Sequence, residues 1–598
     1  MNFTGNAKIK KITTCALALG LFLSTTLTLV CSLEAKDAQK VVSQATPWVQ
    51  KSYPENKITI VGGGIIGALE AYYAHVDAQK TGKKVRVMIY ERNKSITDTT
   101  TANIAPSLTP DEILSVVPRG KDFVNKLQVL FSQPGGIRVD DVKDVNKSPA
   151  ATHFMEQAEI YSQDEAGYKE RTQTLLEFGK MSMDLWQGIY DNADAEFKAI
   201  LVASNFNPCR EPRTKGISQL RDGYRVDPIC NMSNALEHAH NMKRDYENIG
   251  YKNCKILSPA EVMALDPYLT DFCKSHTVAD KAGVLTWRSD SVALWRPGGC
   301  LDAQVLLPRL YDYLKKAMGT YTDQSGKTQN CFQLHLNKEV QAVEFGKDGD
   351  KTIVTGLRFA DGQVIRDNNC SYVFCPGEAV GTLKKFGFKE PAYAGFAGAS
   401  LKFYIPVPAD KIAHYANFNH CMEVHQVGVV QPFQSRVRDG KIDIAVAGTK
   451  AFYADQKPDK NEAFGKNRNL LQFNIVNEIL PECMSLALGR DTKGQTLTQA
   501  DLDYLEKNNI VKRWVGTRAV VYDGFPTLGA VYNHEGVEVT NARVTTHLGS
   551  GGASFGPASV TVSRGFKNQE VLKDPVMSKA LNFAKSDRIA DGHRAKKS

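Results

Sequence analysis

Between Lys57 and Glu91 the chain reads strand, glycine-rich turn, helix, strand, an order that few folds accommodate. Lys57 to Val61 is a short apolar strand, and Gly62 to Gly67 is the turn. Ala68 to Gln79 carries small and aromatic residues at helical spacing, and Lys84 to Tyr90 alternates in the manner of a strand. Gly62, Gly64 and Gly67 satisfy G-x-G-x-x-G. The first glycine permits the tight turn, the second lets backbone approach a pyrophosphate, and the third lets the helix pack on the sheet. N–H groups and the dipole at the helix start then favour phosphates. Gly62, Gly63, Gly64, Ile65, Ile66 and Gly67 are therefore expected to contact a dinucleotide. Glu91 ends the second strand where a ribose hydroxyl binds, and an acid there favours an unphosphorylated ribose. Arg92 follows it.

A chain of 598 residues exceeds one ordinary core, so two or more domains are expected. Hydrophobic content of 42% and charged content of 23% are those of a globular protein. The formal charge of +9 is mild and sits partly at the ends, and no nucleic-acid motif accompanies it. Lys8, Lys10 and Lys11 precede the apolar run Ala16 to Leu23, which reads as an export signal. Ile12 to Val30 is also near the length of a membrane span, so a cleaved signal and an uncleaved anchor both stay open. Export to the periplasm, or anchoring in the inner membrane facing it, is expected. Of twelve cysteines, Cys15 and Cys31 fall in that region. The rest permit disulfides in an exported chain, although buried thiols account for most of them. No cysteine spacing suits zinc, and no metal site is expected.

Farther along, Thr172 to Asp191 and Asp302 to Met318 show helical periodicity, with Pro308 expected to kink the second helix or mark its start. Phe332 to Phe345 reads as one strand. Asp361-Gly362 marks a hairpin between Thr352–Phe359 and Gln363–Ile365. Ser371 to Cys375 and Tyr393 to Pro406 read as strands, and helices and loops are expected from there to about Asn509. Dinucleotide-type elements thus occur near the start, middle and end, with different material between them.

Three further segments carry a family resemblance. Thr99-Thr100-Thr101-Ala102-Asn103-Ile104-Ala105-Pro106 is a small, hydroxyl-rich loop after the ribose acid. Trp514-Val515-Gly516-Thr517-Arg518, followed by Asp523-Gly524-Phe525-Pro526-Thr527-Leu528-Gly529, resembles W-x-G-x-R…D-G-x-P-x-x-G. His547 to Gly556 is a closing glycine loop. Together with the fingerprint, these resemble the D-amino-acid oxidase/dehydrogenase superfamily of FAD-dependent oxidoreductases, with bacterial D-amino-acid dehydrogenase and glycine oxidase types as the nearest look-alikes. The sequence departs from the pattern at Ala519, where the family usually has Pro, and at Pro376, while Gly398-Ala399-Ser400-Leu401 lacks the family's tyrosine.

The resemblance implies an α/β architecture: a Rossmann-like FAD domain assembled from discontinuous segments plus an α+β, mixed-sheet substrate domain. The expected boundaries are a signal or anchor at 1–35, a linker at 36–56, FAD segments at 57–115, 298–390 and 511–575, substrate segments at 116–297 and 391–510, and a flexible basic tail at 576–598. It further implies cofactor contacts at Thr100, Thr101, Ala102, Asn103, Ile104, Val340, Gly377, Gly549, Ser550, Gly551, Gly552, Ala553 and Ser554, and a carboxylate clamp at Arg518. No His or Cys lies in Thr97 to Pro106, so the FAD is expected to be non-covalent. The implied reaction is oxidative deamination of a D-amino acid or related amine-carboxylate by hydride transfer to flavin N5, with oxygen, a quinone or another carrier as acceptor. Two alternatives stand beside it: an FAD-holding binding or assembly protein without amine turnover, and an oxidase of another carboxylate. His547 is placed near the flavin or in packing. Tyr224, Tyr251, Trp287, Trp295 and Arg296 are candidates for the substrate pocket or for core.

Overall fold

The first strand, Asn56–Val61, lies at the middle of a parallel array. On one side come Val85–Tyr90 and then Phe332–His335, and on the other Ser371–Phe374 and then Glu538–Thr546, all parallel. Val85–Tyr90, Ser371–Phe374 and Glu538–Thr546 are buried along most of their length, as strands of a parallel array covered on both faces are. The computed structural model describes residues 56–103, 107–112, 137–139, 149–206, 223–322, 327–377, 381–415, 420–426, 429–454, 463–549, 551–567 and 569–585. An antiparallel unit, Val340–Asp348, Lys351–Phe359 and Val364–Arg366, extends the sheet beyond Glu538–Thr546. The helices Ile65–Thr81 and Gly556–Gly565 pack together against the array. A fully buried ion pair, Arg543 with Glu70, ties the strand Glu538–Thr546 to the helix Ile65–Thr81.

A second sheet runs in the spatial order Val511–Val521, Tyr393–Pro406, Lys441–Ala454, Val429–Arg438, His420–Gln426, Tyr224–Cys230, Val292–Pro297, Lys255–Leu257. It is mixed: most pairs are antiparallel, while His420–Gln426 runs parallel to Tyr224–Cys230 and Ile137–Val139 parallel to Lys441–Ala454. The architecture is therefore α/β with a parallel dinucleotide-type sheet and a mixed second sheet. The strand Val511–Val521 lies in the second sheet, so the third FAD segment, expected from 511, changes sheet at Tyr522–Pro526.

Several expectations are corrected. Phe332–Phe345 is two strands, Phe332–His335 and Val340–Asp348, on opposite edges of the sheet. Asn337, at φ +55°, breaks the run, and the turn is tied down as Asn337 and Lys338 N–H donate to the carbonyls of Asn93 and Glu91, each at 2.8 Å. The helix Ala303–Met318 starts at its Asp302 cap and runs through Pro308, which does not mark the start. The region after Pro406 holds the expected helices, Ala463–Ile479, Pro481–Leu488 and Gln499–Lys507, but three strands that were not expected precede them, His420–Gln426, Val429–Arg438 and Lys441–Ala454. Their hairpin signal was Asp439-Gly440, where both residues take positive φ. The tail expected to be flexible from 576 begins as the helix Pro575–Phe583, capped by Asp574 and docked through Met577, Ala580 and the Phe583–Phe525 contact. Residues 586–598 and 1–55 lie outside the described residues, and with them the export segment. Among the described residues no helix is long and apolar enough to cross a membrane. Cys230, Cys254, Cys273, Cys300, Cys331, Cys370, Cys375 and Cys483 are all buried.

Candidate cofactor and substrate site

Gly62 takes φ +109°, and a Cβ there would collide with the carbonyl oxygen of Cys375. A Cβ on Gly67 would collide with the carbonyl of Gly62. These two close approaches seat the turn against the strand end at Phe374 and against its own helix. Gly64 differs, since the nearest atom to a Cβ there is Thr101 Oγ1 at 3.4 Å. It is the N-cap of Ile65–Thr81, contributes no side-chain cap, and no acid occupies the first turn. No carboxylate of the helix's own first turn therefore competes at that positive end.

The helix start opens onto a cavity. Gly62, Gly64, Ile65 and Ile66 line it with Glu91, Arg92, Thr99, Thr100 and Thr101. Val340, Gly377, Gly549, Gly552 and Ala553 complete the cofactor-type wall, and Thr517, Arg518 and Ala519 stand in the same cavity. Segments hundreds of residues apart thus converge on one cavity. Gly63, Gly67, Ala102, Asn103, Gly551 and Ser554 are not among its lining residues. Asn103 Nδ2 donates to the carbonyls of Thr97 and Thr99 at 2.8 and 2.9 Å. Ser554 Oγ donates to Ser107 O at 2.8 Å and accepts from Thr109 N at 3.1 Å. Ile104 and Ser550 lie outside the described residues.

Glu91 is buried, and its carboxylate accepts the Gly63 and Asn93 N–H groups at 2.7 and 2.8 Å. Each oxygen keeps a second lone pair, so the acid both ties the turn and remains able to accept from a ribose. The glycine cradle, a helix start with no acid in its first turn and this carboxylate fit a dinucleotide.

Arg518 lies on Val511–Val521, paired with Phe396 across the sheet. Burial draws its pKa below the usual arginine value while the Glu112 carboxylate pulls it up. It remains a cation at any working pH. His547, at φ +59°, also lines the cavity. Its Nδ1 is 2.8 Å from Thr527 Oγ1, its Nε2 is 3.0 Å from Glu390 Oε1, and its ring lies parallel to that of Tyr393. Both ring nitrogens are engaged in holding the loop.

Tyr224, Tyr251, Trp287, Trp295 and Arg296 do not line this cavity. Tyr224 packs between Tyr251 and Trp295, and Trp287 Nε1 donates to Leu257 O at 2.7 Å. Arg296 belongs to a buried charge network that the sequence did not reveal. Arg225 bonds Asp227 and Glu423, each at 2.9 Å, and Arg296 bonds Asp227, Glu423, Tyr246 and Asp111. Burial alone would raise the Glu423 pKa, but the two guanidinium groups hold it well below the carboxylate range. Ser107, bonded to both Arg225 and Glu423, links this network to Ser554. The long helix Glu165–Asn192 was legible, but its purpose was not: Trp186 Nε1 donates to Ala553 O at 2.8 Å and so anchors the closing loop.

No protein-family model and no curated protein sequence matches the chain. Among solved structures it is similar to a glycine oxidase from Bacillus cereus ATCC 14579, at 13% identity over 86% of this chain and 96% of that one, with a TM-score of 0.43. An iminodiacetate oxidase from Chelativorans sp. BNC1 gives 14% identity over 85% and 94%, with a TM-score of 0.43. A thermally stable mutant of a fructosyl peptide oxidase gives 13% over 91% and 93%, with a TM-score of 0.47.

Proposed function

We propose that the chain is an FAD-dependent oxidoreductase that binds its cofactor non-covalently and deaminates a D-amino acid or a related small amine-carboxylate. The observation that carries this reading is the presence of Arg518 in the same cavity as the Gly62–Ile66 helix start and Glu91. Ile65 and Ile66 would hold the pyrophosphate at the helix end, Glu91 the ribose, and Thr100 and Thr101 the flavin side. FAD, when bound, supplies the acceptor for the hydride leaving the substrate's α carbon.

The chain's own part is orientation. The planar Arg518 guanidinium offers two parallel donors to a carboxylate, and burial strengthens that pairing by excluding water. Fixing the carboxylate fixes the α carbon, which accounts for much of the rate gain available to a site without a general base. His547 is not such a base in this reading, because both its nitrogens are bonded to protein groups.

An absorbance spectrum of the purified protein tests the cofactor: a flavin spectrum whose chromophore stays in the supernatant after acid precipitation is expected. An anaerobic screen with D-amino acids, glycine and N-methyl amino acids tests the reaction. Bleaching by none of them would remove the amine reading. Hydrogen peroxide measured with substrate and oxygen separates oxygen from a quinone or carrier as acceptor. The apolar run Ala16 to Leu23 supports export, which cell fractionation tests.

A second reading, an FAD-holding protein without amine turnover, draws on Glu112, an internal acid whose charge acts on Arg518. Under it, Arg518→Ala leaves any measured turnover unchanged.

A further inference from the structure

We propose that Lys402, together with Ser400, is a positioning residue through which the second sheet holds the cofactor-facing turn Thr100–Asn103; this rests on the cofactor reading above. On the strand Tyr393–Pro406, Leu401, Phe403 and Ile405 are fully buried in the core of the second sheet. Alternation along a strand places Ser400 and Lys402 on the opposite face. There Lys402 is only 7% exposed, a rare place for an ammonium group. Its Nζ donates to the carbonyl of Ala102 and to Gln304 Oε1, the latter at 3.1 Å. Ser400 Oγ donates to the carbonyl of Asn103 at 2.8 Å.

Ala102 and Asn103 are the last residues of the four-residue helical turn Thr100–Asn103, so no residue of that turn can donate to their carbonyls. Side chains of the other sheet supply the donors, and the ammonium charge suits the negative end of the turn. The other end of the turn presents Thr100 and Thr101 to the cavity, where Thr101 Oγ1 is 3.5 Å from the Ile65 N–H at the helix start. Lys402 thus acts on the cofactor wall without standing in it. Removing its charge frees the carbonyl end of the turn, and the hydroxyl end shifts with it.

The test is FAD titration of the apoprotein for the wild type, Lys402→Met, Lys402→Arg and Ser400→Ala. Visible circular dichroism of the bound flavin is recorded, and the unfolding midpoint of each apoprotein is measured. Lys402→Met is expected to weaken FAD binding about tenfold or more, and to change the flavin dichroism, while Lys402→Arg restores most of both. Wild-type affinity and dichroism in a folded Lys402→Met protein would overturn the proposal, as would a loss that Lys402→Arg leaves unrestored although both apoproteins fold. If Lys402→Met does not fold, Ser400→Ala decides, and unchanged affinity and dichroism there overturn it. A wild-type apoprotein that takes up no FAD strikes the cofactor reading instead, and the proposal falls with it.

Discussion

The guanidinium of Arg518 packs against the bare Cα of Gly398, two residues along the neighbouring strand from its paired partner Phe396. A methyl group on Gly398 would lie 2.6 Å from both Cζ and Nη2 of Arg518. Gly398 is thus the floor on which the proposed clamp rests. Gly398→Ala is expected to displace the guanidinium, raising KM for an amine-carboxylate about tenfold or more while FAD content is kept. Steady-state kinetics alongside flavin-to-protein ratios check this.

Gly62 and Gly64 are both in the fingerprint but answer to different constraints. Gly62→Ala forces a side chain at φ +109° into the Cys375 carbonyl, whereas Gly64→Ala meets only Thr101 Oγ1 at 3.4 Å. The first substitution is expected to abolish FAD retention and to cost about 2 kcal/mol or more of stability. The second is expected to fold normally and to weaken FAD binding without loss of stability. Flavin content after gel filtration, with denaturant midpoints, separates the two.

Glu70 and Arg543 are joined by two hydrogen bonds in the interior, with Ser563 Oγ 3.2 Å from Arg543 and Arg564 3.6 Å from Glu70. Glu70→Gln strips the charge that compensates Arg543 and is expected to cost about 3–5 kcal/mol, read by urea or guanidinium unfolding. Replacing both partners, Glu70→Leu with Arg543→Met, is expected to recover part of that loss.

Acid sensitivity is expected from His425. Burial, Arg296, His238 and Arg225 all push its pKa well below the usual imidazole value, against the pull of Glu423. The folded imidazole stays neutral where the unfolded one, near pH 6.5, takes up a proton. The stability it contributes is present above about pH 6.5 and is lost as pH falls, by up to about 1.4 kcal/mol per pH unit. His238, whose pKa burial and Arg296 lower against Asp111, acts in the same direction. His425→Asn is expected to flatten the fall in melting temperature between pH 6.5 and 5, and an unchanged slope would refute the assignment.

The strand Asn56–Val61, the glycine turn, its helix and Glu91 were legible because they are contiguous and each residue type has a local reason to be there. The strands after Pro406 were missed because they sit in a mixed sheet where the alternation is broken by residues such as Pro432 and Gly448, although Asp439-Gly440 marked their hairpin. The Phe332–Phe345 run was misread because its apolar pattern continues across a turn that only the contacts to Asn93 and Glu91 reveal.

By itself the sequence determined the glycine turn, the acid at the end of the second strand and the type of sheet that carries them, since backbone conformation at Gly62 and helix polarity at Ile65 are local properties. Tertiary structure alone decided which side chains support that cradle. Glu70, Arg225, Arg296, Trp186 and Lys402 each have a partner from 50 to 473 residues away, and a buried polar group finds such a partner through packing rather than spacing.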